Sequence, residues 1–247
     1  MLMTASSLGY IPSTLSLMRI LLGTSKQFFS RARPAFRDVE AQFRRLLQTG
    51  QSPDAFTLQG LLLQQEGRAD TYVLSYFNKA IDTAARNTPP IAEDQPTPAN
   101  KATSAARKPR WAYEGTCHQQ RGLILLRQGR TEEALASFRI VALDLNLAQG
   151  YTELAKLLPR DAPARETYLL KAAQAGNSEA CRMLALEFAD RAADPALPKK
   201  DRILAGNMAH EWAQINPDAT ARGEVEALVA ERTGEVMGGK TFVRGWF

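Results

Sequence analysis

Between Phe36 and Arg232 the sequence is cut by turn residues into amphipathic stretches of helix length, and no stretch alternates with a period of two for long enough to make a strand. That pattern restricts the chain to an all-α fold. Phe36, Val39, Phe43, Leu46 and Leu47 recur at helical spacing up to Gly50, and Ser52-Pro53 then offers an N-cap and a first-turn proline for a helix that runs to Gly67. A second helix is expected from Asp70 or Thr71 to about Arg86, making a helical hairpin. Further on, Trp111 to Gln128 reads as a helix closed by Gly129, and Thr131 as the cap of its successor, with Glu132 and Glu133 placed where the helix dipole favours anions. Helices follow over Gln149–Leu158, Ala164–Ala175, Ser178–Ala193, Lys199–Ile215 and Asp218–Arg232, separated by proline, glycine or asparagine turns.

Two segments stand apart. Residues 87–110 contain Pro89, Pro90, Pro96, Pro98 and Pro109 and, between Asn87 and Pro109, a single large apolar residue, Ile91. So little apolar surface does not offset chain ordering, and the segment reads as a linker between helices 35–86 and helices 111–236. Residues 1–34 contain no acid at all, whereas Arg19, Lys26, Arg31 and Arg33 are spread among serines and threonines. Leu8, Ile11, Leu15, Met18 and Leu22 form one apolar stripe, and Arg19, Lys26 and Arg33 lie on a different, cationic one. This composition fits a mitochondrial targeting segment, with a disordered arm as the alternative. A secretory signal would carry its charge ahead of the apolar core, and Arg19 interrupts a stretch already too short to span a membrane. The expected location is the mitochondrion, in the matrix or at the inner membrane, with the cytoplasm as the alternative. The tail, 237–247, is aromatic: Phe242, Trp246 and Phe247 around Arg244, suited to docking on the last hairpin or a partner, with stacking on nucleic-acid bases as the alternative.

Charge narrows the partner class. The chain carries 31 basic and 26 acidic residues, of which seven and two lie in residues 1–45, so residues 46–247 hold 24 of each sign. A neutral body does not favour counterion-driven nucleic-acid binding, although it leaves a local patch open. Cys117 and Cys181 form no CxxC pair and have only His118 and His210 to accompany them, a poor metal set. Gly238-Gly239-Lys240 lacks the spacing of a phosphate loop. No catalytic, cofactor or metal residue is expected.

Within this frame, His118–Ala142 (HQQRGLILLRQGRTEEALASFRIVA) resembles a tetratricopeptide repeat. Gly122 and Ala134 stand at the small positions, Gly129 at the turn and Phe138 at the large position; His118, Val141 and Asn146 depart from the pattern. A weaker copy spans Phe56–Ile81, with Gly60, Gly67, Phe77 and Ala80 in the same order and Val73 at the small position. Antiparallel helices that nest closely need small residues where their axes approach and large ones to fill the flanking holes. Residues 164–189 look like a Sel1-like repeat: Tyr168 before Lys171-Ala172-Ala173, then Gly176-Asn177, Ala180 and Leu184-Ala185. Gly176 suits a left-handed helix end and Ser178 the next cap.

These resemblances imply an α-solenoid of antiparallel helix-turn-helix repeats whose concave face binds protein within a larger complex. The implied function is a non-enzymatic adaptor or assembly factor, with an organellar RNA- or ribosome-associated protein as the alternative. Some tetratricopeptide proteins clamp the acidic tail of chaperones, but Thr57, Leu61, Thr116, Gln119, Gln120 and Leu123 occupy the clamp positions here, so no carboxylate clamp is expected. Gln119, Gln120, Arg127 and Trp111 are the candidate partner contacts.

Overall fold

The computed structural model describes residues 1–23, 36–87 and 106–237. Among these the chain is all-helical, with twelve α-helices and no strand. They divide into two compact units, Met1–Ile140 and Val141–Phe247.

The first unit contains α1 (Leu2–Ser7), α2 (Ile11–Leu22), α3 (Arg37–Thr49), α4 (Pro53–Gln65), α5 (Asp70–Asn87), α6 (Glu114–Arg127) and α7 (Thr131–Arg139). Hairpins α4–α5 and α6–α7 follow one another, and α5 packs directly on α6 across the proline-rich segment. That segment reads in the sequence as a divider between helical blocks, yet the boundary between compact units falls at Ile140/Val141; residues 88–105 themselves lie outside the described residues. Ser52 caps α4 as expected, its hydroxyl accepting the Ala55 N–H at 3.2 Å. Thr131 does not cap α7. Arg130 holds that position with no side-chain cap, and its guanidinium instead grips Glu133 at 2.6 and 2.7 Å.

Residues 1–23 of the N-terminal segment are part of the fold; residues 24–34 lie outside the described residues. Leu17, Met18 and Leu21 of α2 are buried with Val39 and Phe43 of α3 and Ala55, Leu58 and Leu62 of α4 in one apolar cluster. The buried face is rotated from the stripe read in the sequence: Met18 is common to both, Leu15 and Leu22 sit at the margin, and Leu8 and Ile11 are exposed. Helical periodicity defines stripes, but when apolar residues cover more than half a helix only the neighbouring helices choose which stripe is inside.

A π-helical turn, Ile140–Asp144, follows α7 in the chain, and the second unit contains α8 (Ala148–Leu157), α9 (Pro163–Gln174), α10 (Ser178–Ala193), α11 (Lys199–Gln214) and α12 (Ala219–Met237). Each helix packs on the next, and α12 also packs on α10. Asn146 adopts a left-handed φ of 52° and its side chain accepts the Tyr151 hydroxyl at 2.9 Å, turning the chain toward α8. Gly150 comes so close to the π turn that a β-carbon would stand 2.4 Å from the Ala142 nitrogen. Gly176 takes a φ of 80°, as expected, but the cap of α10 is Asn177, whose side-chain Oδ1 accepts the Ala180 N–H at 2.9 Å. Ser178 instead donates to Asn216 at 2.7 Å, tying the α11–α12 turn to the start of α10. Where α10 and α11 run alongside each other their buried residues are mostly alanine: Ala185, Ala189 and Ala192 on one, Ala205, Ala209 and Ala213 on the other.

Candidate partner-binding surfaces

Two glycine-phenylalanine nests build the first unit. A β-carbon on Gly60 would lie 2.6 Å from the ring of Phe77, and one on Gly122 would lie 2.5 Å from the ring of Phe138. Both phenylalanines are fully buried. The large residue of each second helix therefore lies on the bare backbone of the first, which is what the order of small and large residues requires. Ala80 and Ala134 are fully buried in the same hairpins, and Tyr168, Ala172, Ala180 and Leu184 occupy buried or half-buried places in the second unit. Tyr168 lies 5.7 Å from the Tyr151 ring, over which Lys171 also sits.

The helices α4 and α6 stand side by side, linked by a hydrogen bond from Gln64 to Gln120 at 3.1 Å and by one from the Tyr113 N–H to Asp54 at 3.0 Å. Thr57 is buried, whereas Leu61, Gln64, Thr116, Gln119, Gln120 and Leu123 are all half-exposed. Of the four candidate contacts, Gln119 and Gln120 are thus both partly accessible, with Gln120 already engaged by Gln64. Arg127 is exposed but forms a two-pronged ion pair with Asp70 at 2.8 and 2.9 Å, which holds the Asp70 carboxyl below its usual range. Trp111 is buried, its ring 6.0 Å from that of His118. It precedes α6 rather than lying in it, because the helix starts at Glu114.

Glu114 organises that corner. Its buried carboxylate accepts both arms of Arg107, each at 2.9 Å, and the Arg110 N–H at 2.7 Å. Burial alone would raise this carboxyl, but Arg107 and the Arg110 N–H outweigh it and hold the group below its usual value. One turn on, burial pulls the His118 imidazole down to about 4, with Glu114 opposing and Arg121, Arg107 and Arg110 assisting. Cys117 points elsewhere, toward the Phe77 carbonyl at 3.6 Å, and burial pushes its thiol up to about 12. A thiol so protonated is no nucleophile. Among the described residues no group of three or more His, Cys, Asp or Glu side chains could hold a metal ion.

His118 makes stability pH-dependent. Its folded-state value lies below its ordinary value of 6.5, so the unfolded chain takes up the proton first as pH falls. The contribution is complete above pH 6.5 and is lost between there and about pH 4, on the order of 2–3 kcal/mol. Urea unfolding from pH 7 to 4.5 should show this loss in the parent protein and a shallower one in His118→Gln.

A second surface lies in the second unit. Lys156, Arg160, Arg165, Arg182 and Arg232 line a cleft of about 370 Å³ with Glu179, Glu187, Asp190, Met183 and Leu186. Arg165 is nearly buried and serves the fold: it donates to the Ala155 and Leu158 carbonyls at the end of α8 at 2.7 and 3.0 Å, and to Glu187 at 2.8 Å. Asp190 receives both Arg160 and Arg232. The cleft is not among the sites expected from the sequence, although Glu179, Arg182, Leu186 and Asp190 recur every three to four residues along α10, the spacing of a single helix face. What the sequence did not reveal was that Arg160 and Arg232, 72 positions apart, close on Asp190 from both sides.

Beneath these surfaces, no helix of the described residues is long and apolar enough to cross a membrane. No family model matches the chain, and no curated protein or solved structure is significantly similar to it.

Proposed function

We propose that this protein is a non-enzymatic adaptor, a solenoid of tetratricopeptide-like and Sel1-like hairpins that holds a protein partner within a larger complex of the mitochondrion. The observation that carries this reading is the paired nest, Gly60 under Phe77 and Gly122 under Phe138. Two hairpins locked by the same device, with their first helices bonded side by side, have the construction of a repeat stack, and such stacks work by offering one helix face to an extended ligand. The step from stacking to binding is an analogy of architecture. The face concerned carries Leu61, Gln119, Gln120 and Leu123. RNA is the weaker ligand, because Arg121, Arg127, Arg130, Arg165, Arg182, Arg191 and Arg232 are all committed to carboxylates of the fold.

The test is native co-purification of the full chain and of a Gln119→Glu/Leu123→Glu variant, both half-exposed positions whose replacement leaves the nests intact. The parent is expected to elute in a nuclease-resistant complex, and the variant to elute alone with unchanged helicity. A parent that elutes alone, or a complex dissolved by nuclease, refutes the adaptor reading.

A further inference from the structure

The cleft around Asp190 lies wholly within the second unit, and all the side chains that line it are described. At about 370 Å³ it stands at the small end of ligand pockets, roughly 300–1,000 Å³, with room for a few side chains of a ligand. Its charges do not balance: five lining side chains are cationic and three are acidic. Two of the cations are already satisfied. Arg165 donates to Glu187 and to the Ala155 and Leu158 carbonyls, and Lys156 bonds Glu153 at 3.1 Å. Setting aside Arg165 with Glu187, and Lys156 with its partner outside the lining, leaves Arg160, Arg182 and Arg232 facing only Glu179 and Asp190.

Those three arginines keep most of their donors. Arg182 stands 3.9 Å from Glu179, beyond hydrogen-bond reach, and makes no hydrogen bond among the described residues. Arg160 and Arg232 divide the carboxylate of Asp190, each through a single nitrogen, at 3.2 and 2.5 Å. A guanidinium carries five N–H donors in a planar fork, so one carboxylate cannot satisfy two of them. Both side chains remain accessible, at 79% and 38%. Asp161, next to Arg160 in the chain, is exposed and is not one of the lining residues. The lining is therefore one carboxylate short, and an oxyanion brought by a ligand matches the surplus.

The apolar part of the lining selects among oxyanions. No lining residue is aromatic, so nucleic-acid bases have no platform on which to stack, and Glu179 and Asp190 repel the closely spaced charges of a phosphodiester chain. Met183 and Leu186 are half-buried and offer an aliphatic side chain a place beside the cations. We infer that this cleft binds an acidic peptide segment, one of whose carboxylates is taken by Arg160, Arg182 and Arg232 while a neighbouring aliphatic side chain rests on Met183 and Leu186. This inference does not rest on the adaptor reading, whose face belongs to the first unit: the Gln119→Glu/Leu123→Glu variant should bind the same peptide as the parent does.

The full chain is tested by fluorescence polarisation with a fluorescein-labelled hexapeptide of alternating aspartate and leucine, and with its asparagine counterpart. The parent should bind the aspartate peptide, progressively less as salt rises, and the asparagine peptide roughly tenfold more weakly or worse. Arg160→Gln and Arg182→Gln should each weaken binding of the aspartate peptide roughly fivefold to tenfold while retaining the parent's circular dichroism and melting. Arg182→Gln removes no hydrogen bond of the fold, so its effect is read on an undisturbed cleft. Arg45→Gln, the same change of charge at an exposed position on α3, should bind as the parent does. The inference fails if the parent binds neither peptide or both equally, if Arg160→Gln and Arg182→Gln bind undiminished, or if Arg45→Gln weakens binding as much as they do. It also fails if oligothymidylate displaces the labelled peptide at a lower concentration than the unlabelled peptide does, because the cleft then belongs to nucleic acid.

Discussion

Met18→Asp is expected to destabilise the first unit by about 3–5 kcal/mol, because an unpaired charge then occupies a site with almost no access to water. Met18 is 1% exposed and shares its cluster with Leu17, Leu21, Val39, Phe43, Leu58 and Leu62. Met18→Leu, which preserves volume, should cost less than about 1.5 kcal/mol. Urea denaturation separates the two, and hydrogen exchange should locate the loss in α2, α3 and α4. Equal midpoints for the aspartate variant and the parent would mean that α2 is not seated in this cluster. The same packing bears on the targeting reading: a chain beginning at residue 35 would leave Val39, Phe43, Leu58 and Leu62 uncovered, and should bind hydrophobic dyes and associate at concentrations where the full chain does not. A mature mitochondrial form cut at that point would need a partner helix in place of α2.

The nests make the second large prediction. Phe138→Ala should cost about 3–5 kcal/mol, since the ring is fully buried and the backbone of Gly122 cannot follow it to fill the space. From the other side, Gly122→Ala should cost about 1–3 kcal/mol, because the new methyl stands 2.5 Å from a ring with nowhere to move. The diagnostic is the pair. Phe138→Leu removes the ring atoms Cε1 and Cζ that the methyl would strike, so Gly122→Ala/Phe138→Leu should be more stable than the two single costs predict, with a coupling of about 1 kcal/mol or more in a double-mutant cycle. Strict additivity would mean that the ring and the glycine are not in contact. Parallel results at Gly60 and Phe77 would establish the two hairpins as copies of one device.

Several features are legible in the sequence alone. Each helix announces itself through residues within four positions of one another, so the all-helical class, the proline at the start of α4, the helix-ending glycines 67 and 129 and the left-handed Gly176 follow from local geometry. The nests were legible for a related reason: Gly60 precedes Phe77 by 17 positions and Gly122 precedes Phe138 by 16, distances spanned by a single hairpin. Caps were harder. Ser178 and Thr131 have the chemistry of caps, but a competing hydrogen bond to Asn216 and the one-residue earlier start at Arg130 decided otherwise.

The chain's own order of residues settles where its helices form and which hairpins nest, because both depend on steric and hydrogen-bonding relations between near neighbours. Tertiary structure alone decides that α2 turns Leu17 and Leu21 inward and leaves Leu8 and Ile11 outside, that Glu114 is held by Arg107, and that Arg160 and Arg232 share Asp190. Those choices depend on which distant surface arrives to exclude water. A one-dimensional pattern specifies the faces available for burial, and the free energy of desolvation selects among them only when the other helices are in place.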